Sequence, residues 1–459
     1  MTLGKRAAVP HAAVMRFAMP RREFAVLFAV LLTVAAGNTA LQTVLPAIAR
    51  VIQIPDMLVA IIFSFSALLW TFSAPYWARQ SDIRGRRRLM EVGVIGFGVS
   101  MLGCGIVIYA GLKGLLVPVA TFALFAALRS LFGIFGSASN PAAQAYVAAR
   151  TSEAERTNAL SSLSSAFGLG TIIGPAVAPL FIIGAVGLAG PLFAFAAIAV
   201  LVLLAVRRYL PDDDPTHFPG RIGAGVDAAA GPGLAHGAPA SEPTVGGGAT
   251  GGSLQAASAG RTSRLSWRDP RILPFMIFGF CSGSVQAATG QALGFLIIDR
   301  VGGTPLQAQQ EIAIVFMAGA GATLLAQWGL IPMFRMTPPL LMRWGTAVAA
   351  MGTAGIALAP DFHALVVAYA LASLGYGFAR PGFTAGASLA VGRAEQGGVA
   401  GAVTSINGSC FVLAPAVGIG LYQLGATLPY MLGAAALVML LVFCSSSQAL
   451  RTERVLQDD

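Results

Sequence analysis

The chain has 459 residues, 56% of them hydrophobic and only 10% charged, with a mean hydropathy of +0.75. Soluble domains carry about 25% charged residues, so a water-soluble fold is excluded and most of the chain must face lipid or other apolar helices. The formal charge of +10 does not point to nucleic acid, because the arginines lie in loops and ends of one parity around the apolar runs.

Residues 1–23 read as a polar arm rather than a cleaved leader, since Pro20, Arg21, Arg22 and Glu23 lead straight into an apolar run with no small-residue cleavage site after it. With about 20 apolar residues per crossing, spans are predicted over 24–46, 57–77, 89–110, 116–138, 159–183 and 188–206. A second set is predicted over 272–297, 311–333, 341–360, 364–387, 398–422 and 427–446. The expected fold is therefore all-α and integral to the membrane, with twelve transmembrane helices in two pseudo-symmetric six-helix bundles over 24–206 and 271–446. Residues 207–270 are rich in Gly, Ala, Pro and Ser and form an expected flexible linker, and 447–459 form a tail.

Of the 29 Lys and Arg residues, only Arg50, Lys113 and Arg300 fall in loops of one parity, and Arg129 and Arg380 fall inside spans. The remainder sit on the opposite side, which places both termini and the linker in the cytoplasm and the chain in the cytoplasmic membrane.

In chain order, the first span carries Asn38 and Gln42, one turn apart on a single face, and ends at Leu45-Pro46. The loop Ala78 to Arg88, A-R-Q-S-D-I-R-G-R-R-R, holds five arginines that cannot enter hydrocarbon. Gly85 lets the chain reverse there, and Asp82 can pair with a guanidinium at the end of the preceding helix. The fourth span holds Arg129 within L-R-S-L-F-G-I-F-G-S-A, a charge at membrane depth and hence a candidate for substrate binding or coupling. In the fifth span, G-L-G-T-I-I-G-P-A-V-A-P sets Gly170 and Gly174 four apart for close helix approach, and Pro175 supplies a bend. Gln286, Thr289 and Gln291 in the seventh span are costly in lipid unless they line a cavity, which Phe63 and Trp70 in the second span could also line, although ordinary packing suits each aromatic alone better. Arg380 in the tenth span precedes Pro381, which cannot donate a backbone hydrogen bond. Cys104, Cys281, Cys410 and Cys444 lie inside apolar runs and read as packing residues.

The halves repeat. A single shift of 240 residues lays Pro141 on Pro381, Glu155 on Glu395, Ser165 on Ser405 and Pro175 on Pro415, with P-A-V repeated at the last pair. Such an arrangement is that of two parallel six-helix units.

Three motifs together resemble the major facilitator superfamily. The loop is similar to its second-third loop pattern G-x-L-a-D-r-x-G-r-k through Asp82, Arg84, Gly85, Arg86 and Arg87, with Ala78, Gln80 and Ile83 departing from it. The fourth span resembles l-R-x-x-q-G-x-g-a through Arg129, Gly133 and Gly136, with Phe132 in place of Gln. The fifth resembles the antiporter signature G-x-x-x-G-P-x-x-G-G through Gly170, Gly174 and Pro175, with Ala178 and Pro179 replacing the final glycines. The resemblance implies a monomeric secondary transporter of the drug:proton antiporter branch, exporting a small molecule as its two halves rock about a midplane site. It also implies a gating role for the Asp82 loop, a role for Arg129 in proton transfer or substrate charge, and an ion gradient, of protons, in place of a cofactor. Drug antiporters of this kind often carry an acid near Asn38; here the acids of Glu23, Glu91, Asp299 and Glu311 only border the predicted spans.

Two intramembrane arginines without an evident acid suit an anion, so an organic-anion exporter or exchanger is the alternative. A transporter-like sensor or scaffold is a further one. An ATP-driven pump is unsupported because G-x-x-x-x-G-K-[ST] is absent. An enzyme or a metal site is equally unsupported, since His11, His217, His236 and His363 all lie in loops or the arm.

Overall fold

The computed structural model describes residues 19–151, 153–212, 268–302, 304–391, 396–447 and 450. Most of the arm, the linker and the tail predicted above lie outside the described residues, as does the side chain of Asp82. The first half comprises α1 (Arg21–Ile52), α2 (Asp56–Arg84), α3 (Arg86–Leu112), α4 (Pro118–Phe135), α5 (Ser139–Arg150), α6 (Glu153–Val177) and α7 (Gly190–Tyr209). The second comprises α8 (Leu273–Val301), α9 (Pro305–Leu324), α10 (Ile331–Phe334), α11 (Pro338–Leu358), α12 (Phe362–Leu389), α13 (Gln396–Leu424) and α14 (Leu428–Ser446).

These helices make twelve rods. A 3-10 turn over Gly136–Ala138 joins α4 to α5, and a π-helical stretch over Leu325–Leu330 joins α9 to α10. Nine helical stretches among the described residues are long and apolar enough to cross a bilayer. The helices α6, α8 and α11 miss that measure, because α6 opens on a polar, charged stretch, Gly, Ser, Thr and Gln dilute α8, and Gly, Thr and Arg343 dilute α11.

Several rods outrun their predicted ends. α1 continues through Pro46 to Ile52, the fourth rod continues to Arg150 rather than 138, and α6 begins at Glu153 rather than 159. The predicted ends counted apolar residues only, whereas helical hydrogen bonding carries on through polar turns where water or ion pairs satisfy the side chains.

The reversal between α2 and α3 is a single residue, Gly85, at φ 88°, a backbone conformation that a side chain would strain. At that end Arg87 donates to Glu91 Oε1 at 3.1 Å and to the carbonyl of Arg207 at 3.0 Å, and Arg207 itself reaches Glu91 at 3.3 Å. Nearby, Glu23 accepts from the Tyr146 hydroxyl at 2.9 Å and from Arg150 at 3.0 Å, which ties α1 to α5. Polar clasps thus fix the rods where the hydrocarbon stops.

The repeat is structural as well. α6 packs along α1, and α13 packs along α8. A Cβ on Gly174 would lie 2.2 Å from Thr39 Oγ1 and 2.3 Å from the Ala36 carbonyl oxygen, and one on Gly418 would lie 2.2 Å from the Ala288 carbonyl oxygen. Backbones this close are what small residues permit. Pro175 and Pro415 stay inside continuous helices at matching positions, so neither breaks its rod. Where the first half has Gly170 against the Leu32 carbonyl, the second half has Cys410, whose thiol donates to the Phe280 carbonyl at 3.4 Å. Between the halves, α2 meets α13, α9 meets α6 and α1, and α8 meets α1.

Candidate substrate site

Two arginines anchor the interior, and the fold treats them differently. Arg129 on α4 is 0% exposed. Its Nη2 donates to Asn38 Oδ1 on α1, and the guanidinium lies 4.3 Å from the Phe132 ring and 5.6 Å from the Phe63 ring. Trp70 meets Phe132 at a tilt, 5.3 Å between ring centres, and Phe97 meets it edge-on at 5.8 Å, which extends the aromatic wall beside the cation. Cation–π contacts of this kind compensate part of the lost hydration. They do not compensate all of it: Nε and Nη1 of Arg129 have no hydrogen-bond partner, and among the described residues no carboxylate pairs with it. A buried guanidinium lacking an anion is a costly arrangement in a low-dielectric interior.

The first-span face forms as the sequence suggests. Asn38 and Gln42 are both buried, and Asn38 is the residue that meets Arg129. The departure at Phe132 is a substitution of chemistry, with a ring face in place of an amide.

Arg380 lies elsewhere, in a pocket built by α8, α12 and α13 of the second half. Ser282 and Gln286 come from α8, Tyr376 and Arg380 from α12, and Asn407 and Cys410 from α13. Gln286, Arg380 and Asn407 are half-buried, whereas Arg129 is fully buried, although Nε and Nη1 of Arg380 are themselves shielded. Pro381 remains inside α12, so the helix is unbroken and only the Gly377 carbonyl loses its helical donor. The shift that overlays the halves lays Asn140 on Arg380, and Asn140 is spent on Gln144 at 2.9 Å. The charge is therefore particular to the second half.

Gln291 is buried further along α8, outside this pocket, and Thr289 back-bonds to the Val285 carbonyl at 2.7 Å. Gly133 packs a helix backbone against Ser66 and Leu69 of α2, and Gly136 lies under the Phe132 ring. Of the loop residues, Arg84 is exposed at the end of α2, Arg86 opens α3, and Arg87 makes the clasp described above. Phe63 and Trp70 pack in the core as expected. Asn407 was not singled out from sequence, although an amide within the apolar run I-N-G-S-C-F carries the same cost in lipid that singles out Gln286.

A family model for the Major Facilitator Superfamily matches residues 27–418. No curated protein sequence matches the chain. Among solved structures, the human organic anion transporter MFSD10 (TETRAN) is similar with a TM-score of 0.60 at 16% identity, over 93% of this chain and 100% of that one. The xylose transporter XylE from E. coli, in a partially occluded inward open conformation, is similar with a TM-score of 0.63 at 13% identity, over 93% of this chain and 99% of that one. The proton:xylose symporter XylE bound to 6-bromo-6-deoxy-D-glucose is similar with a TM-score of 0.58 at 13% identity, over 92% and 94% of the respective chains. At these identities the likeness is one of fold.

Proposed function

The chain belongs to the Major Facilitator Superfamily, and on that premise we propose that it exports a small organic anion across the cytoplasmic membrane by alternating access. It is an integral multi-pass membrane protein and a transporter of the secondary kind rather than an enzyme. The observation that carries the anion reading is Arg129: a fully buried guanidinium with one hydrogen bond, two aromatic faces and no described carboxylate. A carboxylate or phosphate arriving from the substrate supplies the missing charge when the halves rearrange.

The driving force follows from the same charge. Moving an anion outward across an inside-negative membrane is downhill by about 2.3 kcal/mol per charge per 100 mV. The electrical part of a proton-motive force thus favours export, and antiport with protons adds to it. Most of the described acids, Glu23, Asp56, Glu91, Asp299 and Asp361, stand at helix ends rather than beside Arg129. Both termini face the cytoplasm in this reading, on the strength of the loop arginines, and one chain suffices for the transport path.

A second reading, proton-coupled export of a cationic or neutral drug, draws on the Gly170, Gly174 and Pro175 pattern and its close seam against α1. Proteoliposomes decide between them. With imposed pH gradients and potentials, anion flux that is competed by other anions but not by lipophilic cations is expected, and Arg129→Ala should abolish it while membrane insertion persists. Competition by cations alone, or normal flux in Arg129→Ala, would overturn the anion reading.

A further inference from the structure

We propose that Gly290 on α8 sets the bulk of the substrate: the space it leaves on the axis between the two halves, across from Gln42 on α1, receives the uncharged body of the transported anion. This inference rests on the organic-anion reading and adds to it a residue that limits substrate size.

The repeat fixes where that axis runs. Gly170 of α6 meets the Leu32 carbonyl of α1, and Cys410 of α13 meets the Phe280 carbonyl of α8, so Leu32 and Phe280 are equivalent positions. Gly174 against the Ala36 carbonyl and Gly418 against the Ala288 carbonyl keep the same register. Counted on in step from Leu32 and Phe280, Asn38 corresponds to Gln286, Gln42 to Gly290 and Pro46 to Gly294. The last two touch, since a Cβ on Gly294 would lie 2.7 Å from Pro46 Cγ. A contact between equivalent residues of two parallel repeats lies on the axis that relates them. Gln42 and Gly290 therefore flank the same axis one turn further in, about 6 Å along each helix.

Of the glycines on that face of α8, Gly290 alone has room beside it. Gly279, Gly283, Gly290 and Gly294 recur at intervals of four, seven and four, which sets them on one side of the helix. A Cβ on the other three would meet Phe383 of α12 at 2.5 Å, Cys410 of α13 at 2.8 Å and Pro46 of α1 at 2.7 Å, whereas one on Gly290 would meet nothing within 4 Å. Those neighbours are all protein, so the face looks inward and the gap is interior rather than lipid. Gly290 is half-buried and Gln42 is buried. On the Arg50 side of the gap the halves close through Pro46 on Gly294, Gln309 on Thr43 at 3.4 Å and Arg50 on Asp299 at 3.0 Å.

On the other side, one turn along α1 from Gln42, Asn38 holds Arg129. An anion that takes Arg129 when the halves rearrange thus has its uncharged part level with Gln42 and Gly290. There an amide can donate or accept, and no side chain occupies the facing wall. A larger residue at 290 fills this room without displacing a neighbour, so it trims the substrate rather than the fold.

The test uses the full chain in proteoliposomes, with acetate, benzoate and 2-naphthoate as probes of growing width. Gly290→Ala should keep the thermal midpoint of the parent, whereas Gly294→Ala lowers it. The naphthoate-to-acetate flux ratio should fall from the parent to Gly290→Ala and again to Gly290→Leu, by at least about tenfold in all. Gly321→Ala, which also adds its carbon to open space but on an exposed face of α9, should leave the ratio unchanged. A folded Gly290→Leu with the parental ratio overturns the inference while anion transport stands. Should Gly290→Leu fail to fold, Gly290→Cys supplies the bulk after folding, through a sulfonate-bearing thiol reagent with the parent chain as control for the native cysteines. A fall in the ratio on labelling supports the inference, and a thiol that does not react, or a ratio unaltered by full labelling, overturns it. Flux of amines in place of all three carboxylates overturns the anion reading itself, and the role of Gly290 then stands or falls on the same ratio read with naphthylmethylamine and methylamine.

Discussion

Arg50 at the end of α1 donates through Nη2 to Asp299 Oδ2 at the end of α8 at 3.0 Å, and the same nitrogen pairs with Asp56 at the start of α2 at 3.0 Å. The first contact joins the two halves of the molecule and the second stays within one half. Tyr422 on α13 donates to the same Asp299 oxygen, and Arg50 also lies 5.7 Å from the Phe295 ring. All of this sits at the end of the bundle opposite the Gly85 turn, where the halves are also joined by Gln309 on α9 and Thr43 on α1 at 3.4 Å. A transporter that alternates must break these contacts to open at that end.

Neutralising Asp299 should therefore favour opening there. Arg50 and Asp299 are 40% and 42% exposed, so solvent screens the pair and its worth is about 0.2–1 kcal/mol. Asp299→Asn is expected to shift the open population by up to about fivefold, an effect that shrinks as salt is raised. Spin labels in the α1–α2 and α11–α12 turns, read as a distance distribution, would report it. The exchange of charges in Arg50→Asp with Asp299→Arg should restore the closed distance, and an unaltered distribution in Asp299→Asn would show that the ion pair holds nothing.

The seam between α6 and α1 leads to a second expectation. With Thr39 Oγ1 and the Ala36 carbonyl 2.2 and 2.3 Å from where a Cβ would sit, Gly174→Ala must push two backbones apart. Overpacking of this sort costs about 1–3 kcal/mol. Thermal unfolding in detergent should show a clear loss for Gly174→Ala and little change for Gly184→Ala, where nothing lies within 4 Å of the added carbon. Equal midpoints would mean that the seam tolerates a methyl group and that Gly174 is not there for close packing.

Much of the architecture was legible because hydrocarbon imposes a length and a polarity on every rod. The positions of Asn38, Arg129, Gln286 and Arg380 followed from one rule, that polar groups at membrane depth turn inward. Their partners did not follow, because pairing is a matter of rotation and tilt between rods. Nothing in sequence joins Arg129 to a residue 91 positions away, nor Arg50 to Asp299 across the two halves. The contact with Phe132 was within reach, since a residue three places along a helix shares a face with Arg129. A comparison with the motif's usual Gln drew attention to what was lost there and away from the ring that replaces it.

The clasp at the other end of the bundle bears on stability more than on transport. Glu91 accepts from both Arg87 and Arg207, and Arg87 also reaches the Arg207 backbone and, at 3.5 Å, Asp212. Glu91→Gln keeps the shape and removes the charge that the two arginines share. The expected loss is about 1 kcal/mol, since Arg87 and Glu91 are mostly shielded while Arg207 is half exposed. It should appear as a lower thermal midpoint with transport retained per folded molecule. A midpoint equal to that of the parent chain would assign the fastening to the Arg87 backbone contact alone.

The sharpest test of the interior charge is Asn38→Asp. Asn38 presents its amide oxygen to Arg129, so a carboxylate of nearly the same shape would pair with the guanidinium directly. If the substrate anion supplies that charge during the cycle, an internal carboxylate competes with it at an effective concentration no solute can match. Anion flux in proteoliposomes should fall by at least about tenfold, the equivalent of 1.4 kcal/mol. The thermal midpoint should hold or rise, because a buried cation has gained a partner. Loss of both flux and stability would point to a disrupted helix seam instead, whereas undiminished anion flux in a stable Asn38→Asp protein would take Arg129 out of the transport path.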